Sequence, residues 1–244
     1  MKPWLCLFLL LPLVAKADKV LVTESFEETD TTVHQGKKVS WFSDEKGSIN
    51  VVNDPGLASG KAFKGNKIVG ILPFVLLSNP GDSITVSFTF RLAGPMVATQ
   101  RGFKLGLFEG GDPNSPWFFA AGTGYRWNVT TGPEPFSATL AKESGGPGQK
   151  VLAGQDTTVM DQSTKRFAIN DTAKHKATIK IDIGADGNLH LKLTIDDWSF
   201  ASTDLLPPPQ LSPNDFAIRS DDNAFLFDDF KMEIKQQSGD NSGM

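Results

Sequence analysis

The chain has 244 residues, with 24 Lys and Arg against 28 Asp and Glu, for a formal net charge of −4. No stretch concentrates the basic residues, which argues against nucleic acid or any other phosphate-backbone partner. A single cysteine, Cys6, excludes an intrachain disulfide framework and a thiolate zinc site.

The first element is a basic start, Met1-Lys2-Pro3, then an apolar run from Trp4 to Val14, then Ala15-Lys16-Ala17. A basic n-region, a short apolar core and small residues at the minus-three and minus-one positions form a secretory signal, with cleavage expected after Ala17. About a dozen apolar residues cannot span roughly 30 Å of hydrocarbon as a helix, so no membrane span is expected to remain. Cys6 sits too near the start of the apolar run to be a lipidation site and reads as hydrophobic filler. Its loss with residues 1–17 leaves a secreted or periplasmic domain, residues 18–235, that depends on its core alone. More than two hundred residues can bury a large one.

The remaining elements read as strands. Val20-Leu21-Val22-Thr23-Glu24-Ser25-Phe26-Glu27-Glu28 comes first, with short runs at 38–43, 48–53 and 67–77. Asn79-Pro80-Gly81-Asp82 supplies a turn, after which Ile84, Val86, Phe88, Phe90 and Leu92 alternate with polar residues over 83–92. Phe103, Leu105 and Leu107 mark the next strand, and further runs lie at 116–121 and 124–130. The clearest signal is the hairpin at 177–196. There Ile179, Ile181 and Ile183 answer Leu189, Leu191, Leu193 and Ile195 across Ala185-Asp186-Gly187-Asn188. Runs at 214–219 and 225–234 follow, and 236–244 is a polar tail. A period of 3.6 never persists for three turns. Many short strands without helical crossovers predict an all-β fold, a two-sheet antiparallel jelly-roll sandwich with its first and last strands adjacent.

Phe26-Glu27-Glu28 followed by Trp41, Asp186-Gly187 in a late hairpin and the closing Phe227-Asp228-Asp229-Phe230 resemble two related groups. One is the concanavalin-A-like lectin and glucanase jelly rolls, including laminin-G-like domains. The other is the carbohydrate-binding modules that end in an aromatic-Asp-Asp-aliphatic strand. The resemblance implies a polysaccharide or glycan partner and a structural Ca²⁺ between the terminal strands, held by Glu27 and Asp228. If Leu226, Phe230, Met232 and Ile234 face the core, alternation puts Asp228 on that face too, where a carboxylate needs a cation, an ion partner or hydrogen bonds. The alternative to calcium is that Asp228 accepts backbone N–H groups at a strand twist.

The candidate ligand platform is aromatic. Tyr125 and Trp127 are two apart and share a sheet face, Trp117 precedes them, and Arg91 and Lys104 are the cations nearest in pattern. Flat rings stack on the apolar faces of sugars, but they also fill sandwich cores. Of the histidines His34, His175 and His190, none has metal-ligand spacing, and His190 points outward. No strand carries the paired carboxylates of retaining glucanases, and the tyrosine–histidine motifs of jelly-roll lyases are absent. Three functions stand: a carbohydrate-binding protein, a polysaccharide-degrading glycosidase or lyase, and a non-catalytic envelope interaction protein.

Overall fold

A computed structural model describes residues 19–26, 39–42, 50–57, 60–94, 101–110, 123–145, 152, 157–208, 210–221 and 224–237. Their strands are Lys19–Glu24 (β1), Ser40–Phe42 (β2), Asn50–Asp54 (β3), Gly60–Gly65 (β4), Lys67–Ile71 (β5), Ser83–Leu92 (β6), Arg101–Glu109 (β7) and Thr123–Thr131 (β8). They continue as Phe136–Glu143 (β9), Thr157–Ile169 (β10), His175–Ile183 (β11), Leu189–Ile195 (β12), Trp198–Asp204 (β13), Asp215–Ser220 (β14) and Phe225–Lys235 (β15). No helix among the described residues is long and apolar enough to cross a membrane.

The strands form two sheets. The first has the order β13-β12-β11-β6-β15-β4-β3, with β1 also on β15, and the second has the order β10-β9-β8-β7-β14-β5-β2. The pairing is antiparallel except for a short parallel contact of β10 with β8 at Ala168 and Ile169. This is the expected all-β jelly-roll sandwich, and its first and last strands lie side by side.

Alternation decides what each strand buries. In β6, Ile84, Val86, Phe88, Phe90 and Leu92 are all within 1 % of full burial, and Ile179, Ile181, Leu191 and Leu193 complete the same inner face. Each such side chain contributes about 1.5–3 kcal/mol by leaving water. Trp41 on β2 is fully buried among Phe26, Phe63, Phe227 and Phe230, with ring centroids 5.0–5.9 Å away. Gly70 makes room for it, since a Cβ there would stand 2.6 Å from the indole.

The closing strand departs from simple alternation. A bulge between Asp228 and Lys231 shifts its register against β6, and Asp229 adopts φ 53°. Ahead of the bulge Phe225 and Phe227 enter the main core, while Leu226 packs outside it with Leu57 and Ala62. Beyond it Phe230, Met232 and Ile234 enter. The expectation that Leu226 shares a face with Phe230 is therefore corrected, because one extra residue reverses the parity. The bulge falls where β15 changes partner, from β4 at Phe225–Phe227 to β1 at Phe230–Ile234.

Four strands had no counterpart in the sequence pattern: β4, β9, β10 and β13. Thirteen-residue β10 lies at the sheet edge and exposes much of its polar sequence, so it carries no sustained alternation. The expected tail begins under restraint: Gln236 Nε2 donates to the Leu76 carbonyl at 2.9 Å and the Gln237 amide to Asp82 Oδ1 at 2.6 Å.

Candidate functional site

Tyr125 and Trp127 do share a face, and it is the inner one. They are 1 % and 0 % exposed, so the expected stacking platform is corrected: these rings are core. The Tyr125 hydroxyl donates to Asp204 Oδ2 at 2.6 Å, and Lys142 Nζ donates to the same oxygen at 2.8 Å. Burial first, then the Asp204 carboxylate, push the phenol far above its ordinary value, so it stays protonated as the donor to Asp204. Burial raises the Asp204 carboxyl, but Lys142, Tyr125 and the Leu206 amide outweigh that and hold it below the usual range. Asp204 ends β13 while Tyr125 and Lys142 belong to β8 and β9, so the triad ties the two sheets together. Trp117 lies outside the described residues.

The two candidate cations are on different sheets, which corrects their expected role beside one platform. Arg91 on β6 donates Nε to Asp54 Oδ2 at 2.7 Å on the outer side of the first sheet, and its guanidinium holds the Asp54 carboxyl below the usual range. Lys104 on β7 reaches Asp221 Oδ1 at 3.2 Å on the outer side of the second sheet.

The Lys104–Asp221 pair borders a groove of about 340 Å³. Gly102, Asn128, Thr130, Phe136, Ser137 and Asp221 line it. A Cβ at Gly102 would stand 2.5 Å from Asp221 Oδ2, so glycine is what lets this carboxylate lie close over β7. The Asp221 amide donates to the Gly102 carbonyl at 3.0 Å and fixes the approach. Asn128 Nδ2 donates to Thr139 Oγ1 at 2.9 Å, bracing two hydrogen-bonding side chains along the floor. Phe136 opens β9 with 45 % of its surface exposed. The sequence reading passed over it, although Gly132-Pro133-Glu134-Pro135 marks a turn directly before an aromatic.

Farther along the same outer face, Arg126 Nη1 meets Glu143 Oε1 at 2.7 Å, both nearly buried. Burial pushes the Glu143 carboxyl up, against the opposing pull of Arg126, the Leu152 amide and Lys67. Glu143 and Asp215 share one cross-strand row through Gly124 and Phe108. Three strand spacings separate them, about 14 Å of backbone. Glu143 is moreover engaged by Arg126, so the row sets two carboxylates apart rather than facing one another.

At the bulge, Asp228 is fully buried, and its Oδ1 accepts the amide of Asp229 at 2.7 Å. No three His, Cys, Asp or Glu side chains among the described residues are grouped so as to hold a metal ion. Glu27 lies outside the described residues. Of the pair that the resemblance implies for calcium, Asp228 is thus in view with one oxygen already hydrogen-bonded, and the remaining donors of a six-to-eight-oxygen shell would include backbone carbonyls.

The sequence matches no family model and no curated protein. Solved structures do resemble the chain. A carbohydrate esterase from the Shiga toxin-encoding bacteriophage phi24B is similar at 13 % identity and TM-score 0.49, over 90 % of this chain and 100 % of its own. The metal-free carbohydrate recognition domain of Emp46p is similar at 14 % identity and TM-score 0.47, over 81 % of this chain and 88 % of its own. An endo-β-1,4-glucuronan lyase from the fungus Trichoderma reesei is similar at 9 % identity and TM-score 0.47, over 88 % and 95 %. The assignment of two sheets rests on the strand pairings of this chain itself.

Proposed function

We propose that this protein is an exported carbohydrate-binding β-sandwich that seats a glycan in the groove on the outer face of its second sheet. The observation that supports this most is Phe136, a half-exposed aromatic residue that lines the groove together with Asn128, Ser137, Thr139 and Asp221. A sugar ring presents an apolar C–H face to an aromatic and a rim of hydroxyls to such polar groups. Asp221 accepts hydrogen bonds from sugar hydroxyls while Lys104 and Arg219 keep it in place. Export is supported by residues 1–17 and is tested by sequencing the secreted product, whose first residue is expected to be Asp18.

A glycan array followed by calorimetry tests the binding reading. Phe136→Ala is expected to weaken binding about tenfold or more, as loss of an aromatic anchor does. Tyr125→Phe is expected to leave glycan affinity within about twofold, since the hydroxyl serves the sheet-to-sheet tie. No glycan binding by the intact protein, or full binding by Phe136→Ala, refutes the groove.

A further inference from the structure

The cations on this outer face are not scattered. Register places Lys67 on β5 opposite Arg219 on β14, Arg219 opposite Lys104 on β7, and Lys104 opposite Asn128 on β8. Three cations thus occupy one cross-strand row, and like charges directly opposite oppose folding. Lys67 is buried, has its interactions within the fold and pulls on the Glu143 carboxyl, so it offers the groove no contact surface. Lys104 and Arg219 remain partly exposed and share one acceptor: Asp221 Oδ1 lies 3.2 Å from Lys104 Nζ and 3.3 Å from Arg219 Nε. One carboxylate thereby serves two cations at one end of the groove.

The other end is also basic. Arg166 on β10 is paired with Ser137, a groove-lining residue, and is exposed, with no ion pair among the described residues. The acids on this side are Asp221, already shared, Glu134 in the turn before Phe136, and Glu143 farther along the face, which Arg126 and Lys67 hold. In a protein of net charge −4, Lys104, Arg219 and Arg166 thus outnumber Asp221 and Glu134 at the two ends of the groove.

We propose that the groove selects anionic glycans, chains bearing carboxylate or sulfate groups. One acidic group sits against Lys104 and Arg219, another farther along the chain meets Arg166, and a sugar face between them packs on Phe136. Charge-assisted hydrogen bonds from guanidinium and ammonium groups are the stronger class of polar contact, and they distinguish an acid from its neutral ester. This inference rests on the groove being the glycan site.

Its test is calorimetry with three probes: an oligogalacturonate, the same oligosaccharide fully methyl-esterified, and a sulfated galactan oligosaccharide. At least one charged probe is expected to bind about tenfold or more tightly than the ester, with the advantage shrinking in 0.5 M salt. The double variant Lys104→Ala, Arg166→Ala is expected to remove that advantage, with an unchanged circular dichroism spectrum as the folding check. Preference for the galacturonate assigns the cations to carboxylate, and preference for the galactan assigns them to sulfate. Equal affinity for charged and neutral probes overturns the selectivity and leaves the groove standing. Binding that survives Phe136→Ala unchanged, or absence of binding by all three, overturns the groove reading and this inference with it.

Discussion

Tyr125 shows how one residue type serves two ends. Its ring is core, and its hydroxyl needs an acceptor there, which Asp204 supplies at 2.6 Å. Removing the hydroxyl leaves Asp204 with Lys142 and the Leu206 amide, so Tyr125→Phe is expected to lower stability by about 1.5–3 kcal/mol, the worth of a hydrogen bond to a charged group. Urea unfolding measures it. The Asp204 carboxyl is depressed in the folded protein, so the stability it contributes is complete above the unfolded value near 3.9 and is lost as pH falls through the lower folded one. Urea midpoints are therefore expected to drop below about pH 4, and Asp204→Asn is expected to be less stable at pH 6 and flatter below pH 4. An identical slope in wild type and variant would rule Asp204 out as a source of the acid sensitivity. Phe136 is the complementary case. An aromatic at a strand start escapes the alternation rule, and its exposure depends on the turn ahead of it and on the path of the neighbouring strand.

At the scale of the element, β15 decides most. It spans eleven residues, crosses the middle of the first sheet and exchanges β4 for β1 along one edge. The bulge permits this exchange, and Asp229 accepts φ 53° because aspartate tolerates the left-handed region better than branched residues do. Asp229→Val is expected to lose about 1–2 kcal/mol, whereas Asp229→Gly is expected to stay near wild-type stability. Thermal melts of the pair check this, and equal loss in both would locate the cost in the carboxylate rather than the backbone. Strands with clean alternation, such as β6, β11 and β12, were legible from the sequence because one face meets the core and the other meets water. The β10 strand was not, because an edge strand with only two of its thirteen residues buried imposes no such pattern.

At the scale of the whole molecule, the two sheets meet through one large core that includes Trp41, Phe88, Trp127 and Phe227, without disulfide support. With Asp228 Oδ1 already accepting the Asp229 amide, adding millimolar Ca²⁺ is expected to leave the melting temperature unmoved. A rise of several degrees would instead assign binding to residues such as Glu27 beyond those described. Period-two hydrophobicity reports burial one strand at a time, so the all-β class and the hairpin at 177–196 could be read from residue order, while the closing of the first strand against the last followed from the jelly-roll architecture that those strands imply. Which face of each strand is inner is settled by the packing of one sheet on the other. Alternation is blind to that choice, so Tyr125 and Trp127 looked equally suited to a platform and to a core. It also took the sheet register to align Lys104, Arg219 and Asn128 in one row beside Phe136. Those residues lie far apart in sequence and become neighbours only when strands from distant segments pair.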